Sequence, residues 1–89
     1  MSSSPRQLRV ASVQFESHPG DTQANFRKME MFAEQASAQG VRLLVFPECS
    51  ITGYWFMRNL TVEQLGELAE PIPDGPSTQR LIQLAQKHQ

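Results

Sequence analysis

Two adjacent residues carry the reactive groups of this chain: Glu48, a carboxylate, and Cys49, a thiol. They follow an apolar run, Leu43-Leu44-Val45-Phe46, that stops at Pro47, and they precede an aromatic segment, Tyr54-Trp55-Phe56. Within Val41 to Phe56 the only charges are Arg42 and Glu48. An ionised carboxylate amid that much apolar surface must be solvated, paired or hydrogen-bonded, or its pKa must rise. One reading makes Glu48 a general base. Its ordinary pKa is about 4.3, and a dry wall of Phe46, Tyr54, Trp55 or Phe56 would raise it toward useful basicity. The other reading, which fits most strand-end carboxylates, is a glutamate that faces solvent or pairs with Arg58 or Arg42.

Cys49 is a weaker candidate for a nucleophile activated by Glu48, because neighbours on an extended backbone point in opposite directions. A lone cysteine after a strand is more often a small packing residue. His18 and His88 lack metal-ligand spacing, and one cysteine cannot complete a zinc site with them, so no metal centre is expected. The five glycines are scattered and form no phosphate loop. Tyr54 fits a pocket wall and a packed core equally well.

The elements that must position Glu48 follow from the patterning. Leu8 to Phe15 alternates as a strand with no clearly polar face past Arg9, which suits an interior strand covered on both sides. Pro19-Gly20 signals a turn. Asp21 is placed to cap a helix that runs to about Gln39, with Gly40 as its C-terminal glycine. Phe26, Met29, Ala33 and Ala36 recur at helical spacing, widened by Phe32, and predict a core-facing stripe. Val41 to Phe46 is a second strand. Strand, helix and strand make a βαβ unit with parallel strands. Pro47 ends the second strand because it cannot donate to the ladder. Glu48 is thereby presented at the carboxyl end of a parallel strand, the edge where open α/β sheets bind ligands. Thr61 and Gln64 form a capping box for a short helix with Val62, Leu65, Leu68 and Ala69 on its apolar face. After the loop Glu70 to Gly75, Pro76 suits the start of a last helix, roughly Ser77 to Lys87, with an apolar face of Leu81, Ile82, Leu84 and Ala85.

The totals bound the function classes. At 89 residues the chain is at most one small domain, and two strands make too narrow a sheet to stand alone. The pattern is that of the opening part of a larger α/β domain. A formal net charge of −1 offers no electrostatic argument for nucleic acid or for an anionic membrane. No run approaches the ~18 apolar residues of a membrane span. The opening MSSSPRQLRV has neither the basic start and long apolar stretch of a secretory leader nor the glycine needed for myristoylation. The single cysteine agrees with a reducing compartment. The expected location is the cytoplasm, and Met1 to Pro5 is expected to be a disordered tail.

The succession RVASVQFE, GDTQANF, AQGVRLLVFPECSITGY and PIPDGPSTQRLIQLAQKH resembles the N-terminal part of the nitrilase, or carbon–nitrogen hydrolase, superfamily, and it covers nearly the whole chain from Leu8. The resemblance implies an α/β fold, in which residues 6–89 supply the opening βαβ unit and helices of a four-layer α-β-β-α sandwich, incomplete here. It implies a Cys-Glu-Lys catalytic set acting on a small amide, carbamoyl or nitrile substrate through a thioester, with no metal or organic cofactor. Glu48 matches the general base. The superfamily's nucleophilic cysteine and its lysine belong to later segments, so Cys49, Lys28 and Lys87 do not match them. Tyr54 is expected to contact substrate, and the full-length protein is expected to form homo-oligomers. The alternative expectation is an inactive, truncated relative that binds a partner through its sheet edge. A βαβ nucleotide-binding module is a third, disfavoured because ESHPGD has only one glycine after the first strand.

Overall fold

A computed structural model describes residues 6–88; the tail expected at Met1 to Pro5 lies outside them. The elements run β1 (Val10–Ser12), α1 (Thr22–Ala38), β2 (Leu43–Val45), a 3-10 turn (Trp55–Asn59), α2 (Val62–Leu68) and α3 (Pro76–Lys87). β1 and β2 pair in parallel, Val10 opposite Leu43 and Ser12 opposite Val45. This is the βαβ opening of an incomplete α-β-β-α sandwich, as expected.

Local chemistry accounts for the ends of α1. Asp21 accepts a hydrogen bond from the Ala24 amide at 3.0 Å, satisfying a donor that the first turn leaves free. At the other end Gly40 lies at φ 78°. There the Gly40 amide donates to Ser37 O and the Val41 amide to Ala36 O, each at 3.0 Å. That pair of bonds is a Schellman motif, and it turns the chain directly into β2.

The strands are shorter than the expected Leu8 to Phe15 and Val41 to Phe46. Ladder bonds reach one step past β1 at each end, from the Arg42 amide to Arg9 O and from the Val13 amide to Val45 O, both 2.8 Å. Beyond Val13 the partner strand reaches Pro47, which has no N–H to give. The expectation of a sheet covered on both faces also fails for the described residues. Ala11, Leu44 and Phe46 are half-buried, whereas Val10, Leu43 and Val45 on the opposite face are each more than half exposed.

The core is small. Phe26, Met29, Ala33 and Ala24 of α1 are the buried apolar residues among those described. Phe32 and Ala36 of the expected stripe are half-buried, and Phe15 packs between Phe32 and Phe46 at centroid distances of 5.8 and 6.5 Å. α3 docks on α1 mainly through polar contacts of Arg80. Its guanidinium lies 4.5 Å from the Phe26 ring centroid, donates to Gln23 Oε1 and pairs with Glu30. The apolar face expected on α2 is uncovered: Val62 and Leu65 are exposed. The Cα radius of gyration is 15.8 Å, against about 12 Å for a compact domain of this length. No helix among the described residues is long and apolar enough to cross a membrane.

The expected capping box at α2 is present, with Thr61 and Gln64 exchanging both bonds. The start of α3 has a partner that patterning did not reveal. The Ser77 hydroxyl donates to Glu70 Oε2 at 2.6 Å and the Ser77 amide to Oε1 at 2.7 Å. These two bonds, the hydroxyl's first, hold the Glu70 carboxyl below its ordinary pKa. A carboxyl lowered on folding adds stability above its unfolded pKa, and that stability is lost as pH falls through the folded value. In a complete protein the melting temperature of Glu70→Gln should therefore lie below the parent's at neutral pH, and the gap should close below about pH 4. A gap that is the same at pH 3 and pH 7 would show that Glu70 does not act through its charge.

Candidate functional site

Glu48 stands where the strand pattern placed it, past the end of β2 and directly after Pro47. It is exposed, and no hydrogen bond or ion pair to its carboxylate forms among the described residues. Neither expected cationic partner reaches it. Arg42 is exposed, and the Arg58 guanidinium lies over the Trp55 ring at 5.5 Å from the centroid.

The aromatic wall expected around Glu48 is not assembled. Tyr54 and Trp55 meet edge to face at 5.6 Å and are 50% and 71% exposed. The Phe56 ring packs over Gly20 and Gly53, while Phe46 faces Phe15. None of the side chains that the sequence suggested takes Glu48 out of solvent. Tyr54 is half-exposed on the same loop, six positions after Glu48, so packing in the core is not its role within these residues.

The backbone between Glu48 and Tyr54 is held far more firmly than those side chains. Cys49 takes φ 55°, in the left-handed region that a residue with a Cβ rarely adopts. The premise of extended backbone at Cys49 is thus corrected: the chain turns there, and the Gly53 amide returns to Cys49 O at 2.8 Å. Gly53 lies at φ 92°, where an added Cβ would sit 3.4 Å from both Phe56 Cδ1 and Pro19 Cα. The backbone angle, more than the space, calls for glycine here.

Three successive carbonyls of this turn are caught by the β1–α1 connection and the first turn of α1. The Ser17 hydroxyl donates to Ser50 O at 3.2 Å, Asn25 Nδ2 to Ile51 O at 2.8 Å, and the Gly20 amide to Thr52 O at 2.8 Å. Asn25 is wholly buried. Its Oδ1 accepts from the His18 amide at 2.7 Å, and its Nδ2 donates to His18 O at 2.9 Å as well as to Ile51 O. A buried amide must have its bonds satisfied, and here they join the loops that follow the two strands. The sequence reading missed Asn25. Its signal was a polar residue at position 25, inside the apolar cluster Ala24, Phe26 and Met29.

The remaining candidates are scattered. The exposed His18 contributes its backbone to Asn25. His88 is half-buried in an apolar cleft of about 410 Å³ between α1, β2 and α3, whose lining includes Ala33, Leu43, Leu81 and Leu84 but not Glu48. The docking of α3 against α1 and β2 partly covers it. Lys28 donates to Glu16 O from the flank of α1 and Lys87 closes α3, so neither stands beside Glu48. Among the described residues no group of three or more His, Cys, Asp or Glu is placed to hold a metal ion.

Comparison with known proteins sets this geometry in context. The sequence profile of the family described as carbon-nitrogen hydrolase matches residues 9–89. A protein named nitrilase from Pyrococcus abyssi (strain GE5 / Orsay) is 37% identical over 78 residues, covering 88% of this chain and 29% of the relative. A protein named hydrolase in pqqF 5'region from Pseudomonas protegens is 38% identical over 79 residues, covering 89% of this chain and 25% of the relative. A glutamine-dependent NAD(+) synthetase from Acinetobacter baylyi is 35% identical over 49 residues, covering 55% of this chain and 9% of that protein. The chain thus spans 29% and 25% of the lengths of the first two.

Proposed function

This chain belongs to the carbon–nitrogen hydrolase family, and from that premise we propose that it is the opening part of an enzyme that cleaves a non-peptide C–N bond in a small amide, carbamoyl or nitrile substrate. The observation that carries the proposal is the placement of Glu48, just past the carboxyl end of a parallel strand and at the head of a turn whose backbone is tied at three consecutive carbonyls. Glu48 is the general base. It takes the proton from a cysteine thiol supplied by a segment outside these 89 residues. The thiolate attacks the substrate carbon, and a lysine, also from outside, stabilises the negative charge that develops. For an amide the C–N bond breaks, ammonia or an amine leaves with a proton, and water resolves the thioester to release the acid and the thiol. The segments that bring the cysteine also shield Glu48 from water. Tyr54 lines the substrate side of the same loop. The complete protein is a cytoplasmic homo-oligomer whose further strands cover the open sheet face.

The test begins with the reading frame. It should continue past codon 89 with a lysine after one later strand and a cysteine after another, and the full product should release ammonia or an amine from simple amides or nitriles. A frame without those residues, or a folded product that releases neither from a broad amide and nitrile panel, overturns the proposal. A second reading, a non-catalytic relative that pairs through its sheet edge, is favoured by the exposure of Val10, Leu43 and Val45 beside it. It would then gain support from a stable complex without turnover.

In this reading Cys49 is a turn residue and not the nucleophile. Cys49→Ser in the complete protein should keep most of the turnover, since serine fits the same left-handed turn with a side chain of nearly the same shape. Turnover lost with folding and substrate binding intact would reassign Cys49 as the nucleophile.

A further inference from the structure

We propose that Asn25 is a positioning residue for Glu48, acting through the backbone of the turn that follows it; the inference rests on the reading of Glu48 as the base. Glu48 is exposed and no bond among the described residues holds its carboxylate, so its aim depends on the main chain that carries it. That main chain enters a left-handed residue at Cys49 immediately after Glu48. Such a conformation persists only where its surroundings over-determine it. The surroundings here are the ties at Ser50 O, Ile51 O and Thr52 O. Asn25 makes the central tie, and it also holds both backbone groups of His18, in the segment that supplies the outer two. One buried amide therefore locks the β1–α1 connection and the post-β2 turn into a single unit. α1 carries that amide in its first turn, where the Asp21 cap sets the helix start. Aspartate at this position could still accept from the His18 amide, but it would have no N–H for His18 O or Ile51 O, and its charge would face two carbonyl oxygens.

The test is made on the complete enzyme with Asn25→Ala, Glu48→Asp and the double variant, assayed well below their melting temperatures. Misplacing a catalytic group by about 1 Å costs on the order of a hundredfold. Asn25→Ala should therefore lower kcat by about that factor while KM stays close to the parent's. Glu48→Asp displaces the same carboxylate by shortening its side chain. The two losses should then overlap, and the double variant should be far less impaired than their product. Losses that multiply, or a kcat for Asn25→Ala within about twofold of the parent's, overturn the proposal. If Asn25→Ala does not fold, Ser17→Ala removes the neighbouring tie from a half-buried site. It should lower kcat several-fold with KM unchanged, and an unchanged kcat overturns the proposal by that route. Full turnover in Glu48→Gln is a separate result. It removes the reading of Glu48 itself, whatever Asn25 does.

Discussion

Replacing Glu48 with glutamine in the complete protein should abolish measurable hydrolysis, a loss of at least the 10²–10⁴-fold that a positioned general base contributes. Glutamine keeps the shape of the side chain and loses only the ability to take a proton. The structure makes this a clean experiment. Glu48 makes no hydrogen bond or ion pair among the described residues, so no contact within this part of the chain is lost with its charge. The variant should melt with the parent and still bind substrate, with the whole effect in kcat. A Glu48→Gln protein that retains more than about a tenth of the parent's kcat would remove the carboxylate from the mechanism. A variant that loses activity because it no longer folds would give Glu48 a structural role, through contacts with the segments outside these 89 residues.

The second large effect concerns the 89-residue chain on its own, which should show no cooperative melt and no hydrolase activity. Among the described residues its buried apolar side chains amount to Phe26, Met29 and two alanines, all on one helix. Its sheet has two strands among the described residues, and a two-stranded sheet is marginal in water on its own. Folding a domain costs roughly 1–2 kcal/mol of backbone entropy per residue, and burial on this scale does not offset it. Circular dichroism of the purified chain should show partial helix that fades gradually on heating. Size-exclusion should show self-association through the bare apolar face of Val10, Leu43 and Val45. A monodisperse monomer with a sharp melting transition would mean that these residues carry an independent domain.

The features legible in the sequence were those set by neighbours along the chain. Asp21 caps the helix it precedes, Gly40 ends it, and Thr61 and Gln64 close a box three residues apart. Each depends on contacts within one turn, so residue type and spacing suffice. The βαβ order and the position of Glu48 followed from two apolar runs separated by a capped helix. What stayed hidden was set by partners far apart in sequence. Asn25 bonds to Ile51 across 26 positions, and Arg80 reaches Gln23 across 57. Periodicity marks a polar residue on an apolar face but does not say which carbonyl it meets. The aromatic wall failed for a related reason. Proximity in sequence put Tyr54, Trp55 and Phe56 near Glu48, but the turn at Cys49 sent Phe56 back over Gly20 and Gly53 and left the other two outward.

The ties at residues 50 to 52 all end on main-chain oxygens, and every amino acid supplies the same oxygen. The clamp therefore does not depend on the side chains at the positions it grips. Ile51 and Thr52, both half-buried, and the exposed Tyr54 and Trp55 can change while the loop path stays the same. The constrained identities lie at Asn25, which reaches in from another element, and at Gly53, whose φ of 92° residues with a side chain rarely adopt. Evolution, or a designer building a combinatorial library, can then rewrite the surface beside Glu48 without re-aiming it. On the proposed reading of Glu48, a loop built this way would separate what the complete enzyme accepts from how it reacts, and new substrate preferences could arise there by single substitutions on an unchanged scaffold.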